Sequence, residues 1–369
     1  MLVPGRPTAV DLFAGAGGTT RGLRDAGFDV VGAIENDPAA CSSFRANHVP
    51  GSLLKERDIS HIDPLVFAAE LKLGDCRLDL LTACPPCQPF STLGSGDADD
   101  PRNDLVGVVA EFVDALAPRV VVIENVPGLA TQPALQGLIA RLETRYDIAK
   151  HLVQAIDFGV PQSRRRIIVF AVDRTIGKAP RGDLTDCLPA CFDRTARTAG
   201  EALALVGDLT EAQDPVHRAR KPRPLTVERL QATSQGGGRR ELPPELVLDC
   251  HRNLDGADAT SIYGRVDASK PAPTMTTRCT TPSCGRFGHP TEDRGLTLRE
   301  AALLQTFPLR YSFGGTYGEI ERQIGNAVPA RLAEAIGLVV QAVLTETGDS
   351  EGRRPPLAES LEVAETTNR

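Results

Sequence analysis

The chain has 369 residues, 41% hydrophobic and 24% charged, with a formal net charge of −7 and nine cysteines. This length can bury a sizeable core as one large domain or two smaller ones, and the composition excludes a collagenous, disordered or disulfide-stapled chain. The acidic balance excludes a generally basic nucleic-acid coat, and an odd cysteine count without a secretory leader points to reduced thiols in a cytoplasmic protein.

In chain order, "TAVDLF" (8–13), "DVVGAIE" (29–35), "LDLLTA" (78–83), "RVVVIEN" (119–125) and "RIIVFAV" (166–172) predict short buried strands. Helical patterns at 19–26, 38–47 and 105–116 lie between them. Near-continuous apolar strands alternating with helices predict an α/β fold, a doubly wound, mostly parallel sheet with ligands at the carboxyl ends of its strands. From Thr175 to about Asp293 the chain is rich in Pro, Gly and charge, which predicts a separate, irregular unit. Thr297, with Glu300 three residues on, predicts a capping box opening a helix over 297–305. Leu332, Ile336, Val339, Val340, Val343 and Leu344 recur at helical spacing. The polar tail from Gly348 predicts disorder, and no uninterrupted apolar stretch approaches membrane-spanning length. The expected organisation is a first domain over 1–174 completed by 321–345, a second over 175–320, and a tail over 346–369.

Gly15, Gly17 and Gly18 follow the first strand directly, where they let the backbone turn sharply and approach a ligand. A dinucleotide fingerprint needs glycine where Thr20 stands, and no Gly-Lys-Ser/Thr follows for a triphosphate. Glu35, 20 residues beyond Gly15, ends the second strand where an acid accepts hydrogen bonds from ribose hydroxyls. Asp58 and Ile59 can bracket an adenine with a carboxylate and an apolar face. An adenosine-bearing ligand without a pyrophosphate fits, S-adenosylmethionine being the obvious one; a glycine turn that only lets a helix pack is the plainer alternative.

In "TACPPCQPFS" (82–91), Cys84 and Cys87 could be a metal clip, a redox pair, or one nucleophile with a neighbour. Zinc needs four ligands, and neither Cys187/Cys191 nor Cys279/Cys284 has the usual two-residue gap. A redox Cys-x-x-Cys opens a helix, whereas Gln88, Pro89 and Phe90 continue a stiff loop. That leaves Cys87 as a nucleophile held by Pro85, Pro86 and Pro89, with Cys84 as a buried structural thiol. "VIENVPG" ends a buried strand with Glu124 and Asn125 at the ligand edge, where a half-buried carboxylic acid can donate a proton. "PQSRRRIIVF" carries Arg164 and Arg166 two apart, on one face by strand periodicity. An ordinary salt bridge is the alternative for each.

These residues together resemble the DNA (cytosine-5) methyltransferase family, through "DLFAGAGG" (11–18), "PPCQPFS" (85–91), "ENVPG" (124–128), "QSRRR" (162–166), "RGLTLREAALLQTFP" (294–308) and "QIGNAVP" (323–329). The resemblance implies a Rossmann-like catalytic domain that moves a methyl group from S-adenosylmethionine to carbon 5 of a cytosine in double-stranded DNA. It implies Cys87 as the nucleophile on carbon 6, Glu124 at ring nitrogen 3, and Arg164 near the base and thiolate, with Arg166 in the same catalytic set. Phe13, Gly15, Gly17, Glu35, Asn36, Asp58, Ile59, Pro86, Leu105, Asn326 and Val328 would contact the cofactor. No metal is implied.

The target base must be flipped out of the helix. The segment between "QSRRR" and "RGLTLRE" corresponds to the family's target-recognition region, with "VHRARKPRPL", "SQGGGRR" and "TMTTRCTTPSCGRFGHP" as candidate DNA-facing loops. Residues 161–240 hold 15 Lys or Arg against 9 Asp or Glu, an excess suited to phosphates or to a solvated face. The expected role is the modification half of a restriction-modification system or an orphan methylase, monomeric, with a possible cognate endonuclease and no regulatory domain. The rival readings are a transfer-RNA cytosine-5 methyltransferase, a NAD-dependent oxidoreductase with a redox Cys-x-x-Cys, and a catalytically silent DNA-binding protein.

Overall fold

The structure, a computed structural model, describes residues 5–48, 52–74, 76–86, 104–249 and 260–346. Cys87 and the tail expected to be disordered lie outside the described residues. The first part of the chain runs β1 (Thr8–Leu12), α1 (Gly18–Asp25), β2 (Asp29–Glu35), α2 (Pro38–His48), β3 (Leu53–Glu56), α3 (Pro64–Glu70), β4 (Leu80–Ala83) and α4 (Asp104–Leu116). It continues through β5 (Val120–Asn125), α5 (Pro133–Leu142), β6 (Tyr146–Gln154), β7 (Gln162–Ser163) and β8 (Arg165–Asp173). Seven of these strands form one sheet in the order β3-β2-β1-β4-β5-β8-β6. The first five positions are parallel, while β8 is antiparallel to both its neighbours.

The five expected strands are all present. β3 and β6 were not anticipated, for a physical reason: β3 is four residues at the sheet edge with no side chain fully buried, and β6 covers the opposite edge with buried and exposed positions mixed. Strands buried on one side only lack the continuous apolar run that marks the interior ones. The chain leaves β1 toward β2 and β3, then returns to place β4 and β5 on the other side. A crevice therefore opens at the carboxyl ends of β1 and β4.

The second part contains α6 (Ala199–Ala204), α7 (Pro224–Gln231), β9 (Ala272–Pro273), α8 (Leu298–Leu304), α9 (Tyr317–Asn326) and α10 (Ala330–Glu346). As expected, Thr297 caps α8 in a capping box with Glu300. One core layer packs α1 and α10 on the sheet; a second layer lies under α3, α4 and α5. A further core gathers Val216, Val266, Met275, Leu298, Phe307, Ile320 and Ile324 beneath the irregular region. Tyr317–Thr345 is long and apolar enough by composition to cross a membrane, but it breaks between α9 and α10 and buries Ile320, Ile324, Leu332 and Val340 in these cores. It is the core helix pair of a folded domain.

Candidate active site

On the sheet face covered by α1 and α10, Asp11, Thr82 and Val122 form one cross-strand row of β1, β4 and β5. Two residues further along, Cys84 and Glu124 face the same side, and Cys84 Sγ lies 2.9 Å from Glu124 Oε2. Arg166 Nε reaches 2.8 Å from Glu124 Oε1 but off its N–H axis, so this oxygen receives no aligned hydrogen bond among the described residues. Asn125 Nδ2 donates to the Pro85 carbonyl at 3.0 Å. That bond clamps the start of the Pro85-Pro86 loop to the strand that carries Glu124, two residues before Cys87.

Arg164 and Arg166 take different partners among the described residues. Close contacts from the Gln162 amide to the Val160 carbonyl (2.7 Å) and from the Arg164 amide to the Gln162 carbonyl (3.0 Å) tighten the chain before β8 begins at Arg165. Arg166 turns to Glu124, and the buried Arg164 donates from Nη1 to the Met275 carbonyl at 3.1 Å.

The glycine loop divides two tasks. A Cβ on Gly15, at φ +56°, would meet nothing within 4 Å among the described residues, so this glycine faces open space between them at the strand ends. A Cβ on Gly17, at φ +93°, would lie 2.4 Å from the His48 ring, so this one serves packing. Glu35 accepts from the amides of Gly15 (2.8 Å), Asn36 (2.9 Å) and Asp37 (2.8 Å); burial nonetheless pushes its carboxyl up. Two hydrogen bonds from Ser60 hold the half-exposed Asp58 carboxyl below the usual range. Phe13, Ile59 and Leu105 contribute to one apolar cluster. Asn36 and Asn326 are exposed, Pro86 is half-buried, and Val328 is buried beside Gly18. An open glycine turn, a tethered carboxylate, a second acid and an apolar wall at neighbouring strand ends suit an adenosyl group.

The sequence profile of the C-5 cytosine-specific DNA methylases matches residues 8–342. The chain belongs to that family. It is similar to the Type II methylase M.HgiDII of Herpetosiphon aurantiacus, 32% identical over 91% of this chain and 95% of the relative. The Type II methyltransferase M.PspPI of Psychrobacter is 34% identical over 91% and 79%. A protein described as a DNA modification methyltransferase encoded within an E. coli prophage shares the fold at a TM-score of 0.66 and 25% identity, over 92% of this chain and 99% of its own. The S. pombe Dnmt2 methyltransferase, at a TM-score of 0.57 and 19% identity over 92% and 98%, shares the fold alone. The enzyme is thus a DNA cytosine-5 methyltransferase with S-adenosylmethionine as its methyl donor.

Two residues of the site were not anticipated from sequence. Cys84 was read as structural, and the structure puts its sulfur on Glu124. Asp11 was passed over, although an acid inside the apolar run "TAVDLF" is itself a signal. Among the described residues, Cys187, Cys191, Cys279 and Cys284 form no disulfide.

Proposed function

We propose that this methyltransferase acts on a cytosine flipped out of a specific duplex sequence, with Cys87 as nucleophile, Glu124 as the acid at ring nitrogen 3, Arg164 as the cation near the base and thiolate, and Arg166 as the cation beside Glu124. The supporting observation is the strand end where Asn125 clamps the Pro85-Pro86 loop against the residue next to Glu124. Carbon 5 of cytosine is too weak a nucleophile to take a methyl group unaided. Addition of the Cys87 thiolate to carbon 6, with the Glu124 proton moving to nitrogen 3, makes carbon 5 an enamine carbon. Bound S-adenosylmethionine supplies the electrophilic methyl group. Loss of the carbon 5 proton, expulsion of the Cys87 thiolate and return of the nitrogen 3 proton to Glu124 release 5-methylcytosine. Phe13, Gly15, Glu35, Asp58, Ile59 and Leu105 would hold the donor, with Asn36, Pro86, Asn326 and Val328 at its margins. Gly17 would support the loop from behind.

The segment 175–320 would read the DNA, and residues 1–174 with 321–345 would carry out the chemistry. Extruding the base costs roughly a few kcal/mol, which phosphate contacts from this region would offset. Relatives named as Type II methylases favour a modification enzyme with a cognate endonuclease; it would work in the cytoplasm as a monomer. Incubation with DNA carrying 5-fluorocytosine and the methyl donor tests the reading, because fluorine cannot leave as a proton and the adduct persists. A covalent complex mapped to Cys87, lost in Cys87→Ser while donor binding is kept, is the expected result; methyl transfer by Cys87→Ser at the native rate would refute it. Bisulfite sequencing of DNA from expressing cells would identify the methylated sequence, and transfer RNA as the preferred substrate would favour the rival.

A further inference from the structure

Cys84 has a place in the fold that a structural thiol does not need. β4 and β5 run parallel with Thr82 opposite Val122, so the next residues on the same face, Cys84 and Glu124, are cross-strand neighbours. The sulfur sits 2.9 Å from Oε2. Thr82, one turn of the pleat below, gives its hydroxyl to the Val10 carbonyl and to Asp11, at 3.3 and 3.2 Å, and is not available to Glu124. Arg166 stands against the other oxygen without an aligned N–H. A cavity of about 20 Å³, lined in part by Asp11, Thr82, Cys84 and Glu124, lies behind the pair.

We propose that Cys84 is a positioning residue for methyl transfer: its S–H donates to Glu124 Oε2, which makes Oε2 the acceptor oxygen and leaves Oε1 to carry the proton that goes to cytosine nitrogen 3. A protonated carboxyl has one O–H and one carbonyl oxygen, and a donor on one oxygen selects the other for the proton. The thiol also fixes the carboxyl plane, so the acidic proton is presented along one direction in a reaction sensitive to small misplacements. As carbon 6 bonds to the nucleophile, the proton leaves Oε1 and the charge that develops on the carboxylate is met by the thiol on Oε2 and by Arg166 beside Oε1.

The inference rests on the role given to Glu124, which Glu124→Gln tests separately by loss of transfer with Cys84 intact. Cys84→Val removes the donor while filling the space, Cys84→Ala removes it and enlarges a cavity that already has room for about one water, and Cys84→Ser restores a donor of shorter reach. With Glu124 intact, Val is expected to lower the single-turnover methyl-transfer rate about tenfold or more, with Ser recovering a large part and donor affinity within about twofold. In a Glu124→Gln background the same Cys84 substitutions are expected to cost nothing further, because the residue acts through that carboxyl. A Val variant with the native rate, or losses that add in full to those of Glu124→Gln, would overturn the proposal. Should Val fail to fold, the Ala and Ser pair in both backgrounds decides by the same criteria.

Discussion

At Asp11 the chain places a carboxyl in the middle of a buried strand, 1% exposed, with hydroxyls of Thr20 at 2.7 Å and Thr82 at 3.2 Å. Burial pushes this carboxyl from 3.8 up to about 7; the two threonine hydrogen bonds offset only part of that, and the neighbouring Glu35 charge adds to it. The folded state therefore holds the proton more tightly than the unfolded chain does. Its contribution to stability is complete below about pH 4 and is lost as pH rises through about 7. Asp11→Asn should flatten this dependence: between pH 5 and 8 the native enzyme is expected to lose on the order of 2 kcal/mol more than the variant, read by urea unfolding at the two pH values. At Arg166 the expectation is kinetic. Arg166→Ala should slow transfer roughly 100-fold with little change in donor affinity, and single-turnover rates beside donor titrations check it.

At the scale of elements, the sheet face is closed by α1 lying directly on α10. A Cβ on Gly22 would sit 2.2 Å from the Ala330 carbonyl oxygen and 2.5 Å from the Glu334 amide, backbone atoms that cannot rotate away. Gly22→Ala should destabilise the protein by about 1 to 3 kcal/mol despite its better helix propensity, seen as a lower thermal midpoint. The glycine loop is braced by a partner far away in sequence. Tyr311 donates its hydroxyl hydrogen to the Ala16 carbonyl at 2.5 Å and therefore accepts from His48 Nε2 at 2.7 Å. Burial brings the His48 imidazole down to about 3, which keeps it neutral and suited to that role. Tyr311→Phe, which frees the Ala16 carbonyl, should weaken donor binding several-fold while sparing the rate at saturation; donor titration against kcat separates the two.

At the scale of the molecule, the sheet and the irregular region are joined through one buried amide. Gln162 Nε2 donates to the Leu304 carbonyl (3.1 Å) and to Gln305 Oε1 (2.9 Å), and its Oε1 accepts from the Met275 amide (2.9 Å). β7 adds a short parallel ladder to β9 at the same point. Gln162→Leu would leave these groups buried and unpaired, at about 1 to 3 kcal/mol each, and is expected to loosen the irregular region proposed to read DNA. The check is faster amide exchange at 272–276 together with weaker duplex binding. Ion pairs to the rest of the fold leave the basic excess over 161–240 nearly unchanged, because Asp173 and Asp214 within it pair with Arg77, Arg145 and Arg299 from outside. Arg166, Arg181 and Arg220 pair with Glu124, Asp147 and Glu321, acids outside that segment.

The apolar runs at β1, β2, β4, β5 and β8 were readable because a strand buried on both faces has no polar position to interrupt it. The cap of α8 was readable because Thr297 and Glu300 satisfy the helix end within four residues. The family was readable because the motifs that carry it are local. The tertiary structure alone decided that Arg166 is paired with Glu124. It also decided that Cys84 touches the acid and that Asp11 lies beneath it. Both depend on the register of β1, β4 and β5, which is set by pairing between segments 40 and more residues apart and leaves no trace in the local sequence.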